Sequence, residues 1–280
     1  MLHVANGDAA AHALRAAGLE VAVWADCLDQ GPVVGDPATP AFLERRAHFL
    51  AGAGCGTLAQ IRVQLAEWTR ALRPDATYWF EGDLNCMLAL AHHVKLFPDA
   101  RVAVSAKPVS GLTPEEIRAL QPRTDLGDAA ARAWSAITAP APGPLPDLST
   151  LPDPSALRNL SALRDPSALP DLSTLPALQR ALARLRDELP EPRSGLSRTE
   201  RQILEAGARF EENARREEEP WLTDFFFERI VRTLQDGGLL DGREVTALGL
   251  DVLAGRADWL ERAPERWVGG ICVPASVIRR

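Results

Sequence analysis

Four carboxylates, Asp8, Asp26, Glu81 and Asp83, are the side chains of this 280-residue chain whose placement points most directly to chemistry. Each lies just beyond a short apolar run: LHVA leads into Asn6-Gly7-Asp8, EVAVWA into Asp26 and Asp29, and TYWF into Glu81-Gly82-Asp83. Carboxylates that meet from three separate loops can hold a hard divalent cation against phosphate oxygens, and one of them can take a proton from an attacking group. Asp8, Asp26 and Asp83 are therefore candidate ligands of Mg²⁺ or Mn²⁺, and all four carboxylates are candidates for catalytic roles in phosphoester or nucleotidyl chemistry. Asn6 and Gly7 are candidate ligand contacts, and Arg45 and Arg46 would pair with a phosphate or with the carboxylates themselves. Asp8 and Asp83 also stand where helix N-caps belong, a role for which aspartate is well suited. Their charge at those helix starts disfavours a bare phosphate. A nucleotide or sugar-phosphate-like molecule bringing a cation, hydroxyls or an amine fits better.

Convergence requires these runs to be neighbouring strands of one sheet, because ligands of open parallel sheets lie outside the carboxyl ends of the strands. The first 140 residues support this, alternating apolar runs with helical patterns. Strands are expected at 2–5, 20–25, 77–80 and 101–105, with helices at about 8–17, 40–52, 57–72, 83–96, 113–121 and 127–138. Thr113, Pro114 and Glu116 supply a cap, a favourable first-turn proline and an acid at the third helical position, so that helix start is well marked. The fold class expected is α/β, a Rossmann-like mostly parallel sheet over 1–140.

Composition narrows the classes of function. A net charge of -7 repels polyanions and counts against extended contact with nucleic acid or an acidic membrane. Neither a signal peptide nor an apolar run of membrane-spanning length is present, and Cys27, Cys55, Cys86 and Cys272 form no CxxC pair, so a reduced, cytoplasmic protein is expected. Neither GxGxxG nor GxxxxGK[ST] occurs. The histidines His3, His12, His48, His92 and His93 fall in no zinc pattern.

Residues 141–175 form a proline-, leucine- and serine-rich insert with a six-residue period: PDLSTLP recurs at 146–152 and 170–176, and serine falls at 149, 155, 161, 167 and 173. Beyond it, residues 176–280 are expected to form a mainly helical, winged-helix-like domain. Its elements are a helix at 178–189, one opened by the Ser197 to Glu200 capping box and reaching about Phe210, one at 222–235, a hairpin turning at Asp241-Gly242 and a last helix ending at Gly255. From Gly195 onward, 13 arginines face 16 acids, a net charge of -3, which argues against DNA reading. A non-enzymatic adaptor that uses this domain to bind a protein or nucleic acid is the alternative to a small-molecule site, and a homo-oligomer is compatible with either.

The motifs LHVANGD, VWADCLDQGPV, YWFEGDLNCMLAL and GLSRTERQIL together resemble the bacterial family catalogued as domain of unknown function 1835, with its companion C-terminal domain of unknown function 3658. The likeness covers about 2–138 and 176–270 and leaves out the insert. It implies that Asn6, Gly7, Asp8, Trp24, Asp26, Gly31, Pro32, Glu81, Asp83, Arg123 and Trp134 occupy family-motif positions. Met87 stands where the family often has glutamine, and the tail keeps a glycine pair, Gly269-Gly270, but ends in arginines. The resemblance implies domain limits and no reaction.

Overall fold

The computed structural model describes residues 1–138, 170–218 and 221–273. The described residues divide into two compact units, one formed by 1–138, 170–182 and 269–271, the other by 183–218, 221–268 and 272–273. Most of the period-six insert, 141–169, lies outside the described residues.

The first unit is α/β. Its strands β1 (Leu2–Asn6), β2 (Glu20–Trp24), β3 (Thr77–Glu81) and β4 (Arg101–Ser105) form one sheet in the order β2-β1-β3-β4. All three pairings are parallel, with Ala5 opposite Val23 on one side and Trp79 on the other. Buried parallel strands are covered on both faces and so show near-continuous apolar runs, as TYWF does here.

Alternation along the strands sorts the two faces. Ala5, Trp79 and Ala103 pack with Ala10, Ala11 and Leu14 of α1 (Asp8–Ala16) and with Ile117 of α5 (Pro114–Ala119). On the opposite face, Trp24, Tyr78 and Phe80 surround His93 of α4 (Leu84–Leu96). Here α4 packs on α6 (Gly127–Ile137), while α2 (Pro40–Ala53) packs on α3 (Leu58–Ala71). Capping boxes open α3 at Thr57 and α5 at Thr113. Two later segments join this unit through backbone contacts: Arg123 and Arg132 donate to the carbonyls of Thr174 and Asp171, and Val33 N–H donates to Gly269 O at 2.9 Å.

The chain continues through α7 (Pro176–Arg186), α8 (Arg198–Ala206), α9 (Phe210–Ala214), α10 (Asp224–Asp236), the antiparallel pair β5 (Leu240–Asp241) and β6 (Glu244–Val245), α11 (Ala247–Leu253), β7 (Arg266–Val268) and β8 (Ile271–Val273). The single helix expected from Ser197 to about Phe210 is broken. Gly207 adopts φ 72 as a left-handed cap on α8, Ala208 follows at φ 52, and α9 starts afresh at Phe210. No helix among the described residues is long and apolar enough to cross a membrane.

Candidate functional site

In the order β2-β1-β3-β4, β1 has a neighbour on each side, so the chain leaves β1 towards one edge and later returns to the other. The connections after β1 and β3 consequently start helices on opposite faces, α1 on one and α4 on the other. A crevice opens at such a switch point, outside the carboxyl ends of the two strands. Asn6-Gly7-Asp8 lies at one lip and Glu81-Gly82-Asp83 at the other.

At the first lip, Gly7 is the N-cap of α1 with φ 100 and ψ 164, a combination open only to glycine, and no side chain caps the first turn. Asp8 is an exposed first-turn residue of α1 and not its cap. The start of α1 therefore presents amide N–H groups and the positive end of the helix dipole.

Asp83 does cap its helix, accepting from Cys86 N–H at 2.9 Å. Glu81 is half-buried and accepts from Val109 N–H at 2.7 Å. Burial pushes its carboxyl above the ordinary glutamate value, and the charge of Asp83 adds to this. The two lips are joined by Asn6 Nδ2, which donates to Cys86 Sγ at 3.2 Å. With the amide turned that way, Asn6 Oδ1 is buried without a hydrogen-bond partner, and so is Asn85 Oδ1 in the first turn of α4. Two orphaned acceptors at one sheet edge are a demand for donors, because an unmet buried polar atom costs about 1–3 kcal/mol. Cys86 itself is buried, and its thiol is held far up by that burial and by Asp83, which makes it unreactive.

The end of β2 is built differently from expectation. Asp26 is only 2 % exposed, and both its oxygens accept from Arg46, at 2.9 Å to Nε and 2.6 Å to Nη2. The remaining donors of Arg46 reach the carbonyls of Cys27, Gln30 and Pro32. Arg45 donates to Val34 O at 3.2 Å. Of the two roles expected for these arginines, Arg46 takes the carboxylate, and the pair holds the connection between β2 and α2 rather than a ligand phosphate. Asp26 is thereby removed from the group of candidate metal ligands and catalytic carboxylates. The reason is packing: Phe42, Arg46 and Leu50 recur at helical spacing on the buried face of α2.

Asp29, the other aspartate that follows the second strand, is buried as well. It is 8 % exposed, with Gln30 Nε2 donating to its Oδ2 at 3.0 Å. Burial raises its carboxyl to about 7, opposed by Gln30 and Arg46 and reinforced by Asp83. A sequence signal exists, since Asp29 also follows the second strand, but nothing in the chain distinguishes the buried aspartate that is paired from the one that is not.

Among the described residues, no group of three or more His, Cys, Asp or Glu side chains is placed to hold a metal ion. A cavity of about 20 Å³, lined by Trp24, Asp26, Phe42, Thr69 and His92 among others, lies on the α2–α3–α4 side of the sheet and has the volume of one water. No family model, no curated protein and no solved structure matches the chain.

Proposed function

We propose that the protein binds a nucleotide or sugar-phosphate-like small molecule at the carboxyl edge of the sheet between β1 and β3. The observation that carries this reading is the meeting of an uncapped helix start at Gly7 with two orphaned acceptors, Asn6 Oδ1 and Asn85 Oδ1. Phosphate oxygens suit the first turn of α1, where N–H groups and the dipole favour an anion. Sugar hydroxyls suit Asn6 Oδ1, Asn85 Oδ1 and Glu81, which accept the hydrogen bonds a hydroxyl offers. Mg²⁺ or Mn²⁺ would enter bound to the phosphates and use Asp8 and Asp83, since magnesium needs only one or two carboxylates when a substrate supplies the rest. Phosphoester or nucleotidyl chemistry is the reaction class this supports, with Glu81 as general base because its raised carboxyl sits nearer the working pH. For the second unit, the order α8, α9, α10, the β5–β6 hairpin and α11 supports a winged-helix-like module.

The test separates ligand binding from folding. Asn85→Ala removes a buried acceptor that has no partner, so the free protein melts at the same temperature as wild type or higher. AMP and ribose 5-phosphate at millimolar concentration, with and without Mg²⁺, raise the melting temperature of wild type and raise that of Asn85→Ala less. Absence of a shift in wild type for both compounds under both conditions defeats the reading.

A further inference from the structure

Residues 170–175 close the period-six insert and belong to the α/β unit. Within them Leu172 and Leu175 are buried, while Asp171, Ser173 and Thr174 are exposed. Asp171 Oδ1 accepts from Ser173 N–H at 3.0 Å, and Leu172 O accepts from Leu175 N–H at 2.7 Å, so the turn that spaces the two leucines is set inside the segment itself. The receiving surface supplies two guanidinium groups. Arg132 of α6 donates through Nε to Asp171 O at 3.3 Å. Arg123, whose backbone pairs with Val102 of β4 in both directions at 2.8 Å, donates through Nη1 to Thr174 O at 3.0 Å. Both arginines address main-chain carbonyls, so selection among segments falls on the leucine anchors and the turn.

The turn and both anchors occur twice in the chain. PDLSTLP at 146–152 is identical to PDLSTLP at 170–176, so Asp147, Leu148, Ser149, Thr150 and Leu151 repeat Asp171, Leu172, Ser173, Thr174 and Leu175 in type and order. Identical side chains on an identical backbone can make the same contacts with the same surface. Reach does not prevent it. Arg132 lies five residues before Ile137, the last of α6, which is about 8 Å along the helix. The nine residues from Thr138 to Asp147 can span up to about 30 Å. We infer that the surface between Arg123 and Arg132 is a docking site for the sequence Asp-Leu-Ser-Thr-Leu, and that the chain's own first copy, 147–151, competes with the second for it. The second copy has an added advantage, because it runs directly into α7, where Leu178 and Leu182 are buried as well. It is the resident, and the first copy is the substitute when the second is withdrawn. Exchange moves the point at which the surface holds the chain by 24 residues, the offset between Asp147 and Asp171. The connection to α7 lengthens by that amount while the docked contacts stay the same.

Urea unfolding of the full chain tests the exchange as a cycle. Leu148→Asp with Leu151→Asp spoils the first copy, Leu172→Asp with Leu175→Asp spoils the second, and all four changes together spoil both. Spoiling the first copy alone should leave the midpoint where wild type has it. Spoiling the second should lower the midpoint less when the first is intact than when it is spoiled, because Leu148 and Leu151 then take the places of the lost leucines. Failure of the four-site variant to fold counts as the larger fall. The Nε–H resonance of Arg132, which reports the carbonyl it donates to, should keep its wild-type position in the variant lacking the second copy and lose it in the variant lacking both. Equal falls of the midpoint in the two backgrounds overturn the inference, and so does a second-copy variant that fails to fold although its first copy is intact. Three midpoints at the wild-type value overturn it too, since the surface then reads neither copy. A midpoint of the second-copy variant that rises with protein concentration assigns the substitute to another molecule and overturns exchange within the chain.

Discussion

The guanidinium of Arg46 lies 2.6 Å from the carboxylate of Asp26, with the arginine side chain wholly buried and the aspartate side chain 3 % exposed. Two residues whose charge marks them as ligand contacts thus satisfy each other. A charge pair taken out of water is held by its partner, and removal of one member leaves the other stranded in a medium that cannot solvate it. Asp26→Asn should therefore lower the unfolding free energy by about 3–5 kcal/mol in urea titration. Asp26→Leu combined with Arg46→Leu should lose less than the sum of the single changes, yet stay below wild type, because the carbonyls of Cys27 and Gln30 lose their donor. Additive losses in the double variant would show that the pair is not a unit.

Gly7 and Gly54 make a controlled comparison of backbone cost. A Cβ added at either position has no atom within 4 Å, so alanine meets no clash at either. Gly54 has the left-handed φ 91 and ψ 14 of a helix C-cap, where alanine costs about 1 kcal/mol. Gly7, at φ 100 and ψ 164, lies in a region essentially closed to other residues, where the cost is about 1–3 kcal/mol. Gly7→Ala should therefore destabilise more than Gly54→Ala by chemical denaturation, and it alone should weaken AMP binding. Equal losses in stability would remove the special backbone of Gly7 from the site.

The strands of the first unit are legible because parallel strands buried on both faces leave unbroken apolar runs. The run TYWF and the end of LHVA mark β3 and β1 to within one residue. The starts of α5 and α8 are legible through the capping boxes at Thr113 and Ser197. The stop of α8 is hidden because Gly207 stands in an otherwise helical pattern, and a glycine there reads as tolerated until its left-handed φ is known. At the site, the strand ends give Asn6, Gly7, Glu81 and Asp83 their places, but the pairing of Asp26 with Arg46 depends on a contact 20 positions apart that charge cannot announce. The trace left in the sequence is the placing of Arg46 between Phe42 and Leu50 on the buried stripe of α2. An arginine at an apolar spacing is a partner for a buried acid, and Asp26 and Asp29 are the two acids of the preceding loop near enough to supply one.

Acid should destabilise the protein through His92 and His93. Both rings are buried, among Trp24, Phe42, Tyr78 and Phe80. Burial lowers His92 to about 3, with Arg46 adding to it, and burial and then the charge of His92 lower His93 as well. A depressed folded-state value means that the unfolded chain binds the extra proton first. For His92 the stability is complete above the ordinary histidine value near 6.5 and is lost as pH falls from there towards 3, by at most about 1.4 kcal/mol per pH unit, and His93 contributes a loss of the same sign. Asp29 works in the opposite sense, since its raised carboxyl keeps a proton that the unfolded chain releases between 3.8 and about 7. The difference between wild type and His92→Phe isolates the histidine. Urea unfolding from pH 7.5 to 5.0 should show a shallower loss in the variant, and parallel curves would mean that His92 does not carry the acid sensitivity.

In the second unit, Glu200 ties a helix start to a tryptophan and an arginine. Its Oε2 accepts from Ser197 N–H at 2.7 Å in the capping box of α8, while its Oε1 accepts from Trp259 Nε1 at 2.9 Å and from the guanidinium of Arg266. Trp259 has no exposed surface, so its indole N–H has no recourse to water if the acceptor is lost. Glutamine in place of Glu200 retains one oxygen and turns an NH₂ group towards a donor, whichever way the amide is set. Glu200→Gln should therefore cost about 1–2 kcal/mol, and Glu200→Ala about 3 kcal/mol with both the cap and the indole partner gone. Trp259→Phe removes the donor but leaves an aromatic ring. In a double-mutant cycle, Trp259→Phe should cost less in the Glu200→Ala background than in wild type, because the bond it removes is already absent. Equal costs in the two backgrounds would show that the bond between Trp259 and Glu200 adds nothing to stability and that the tryptophan is held by packing alone.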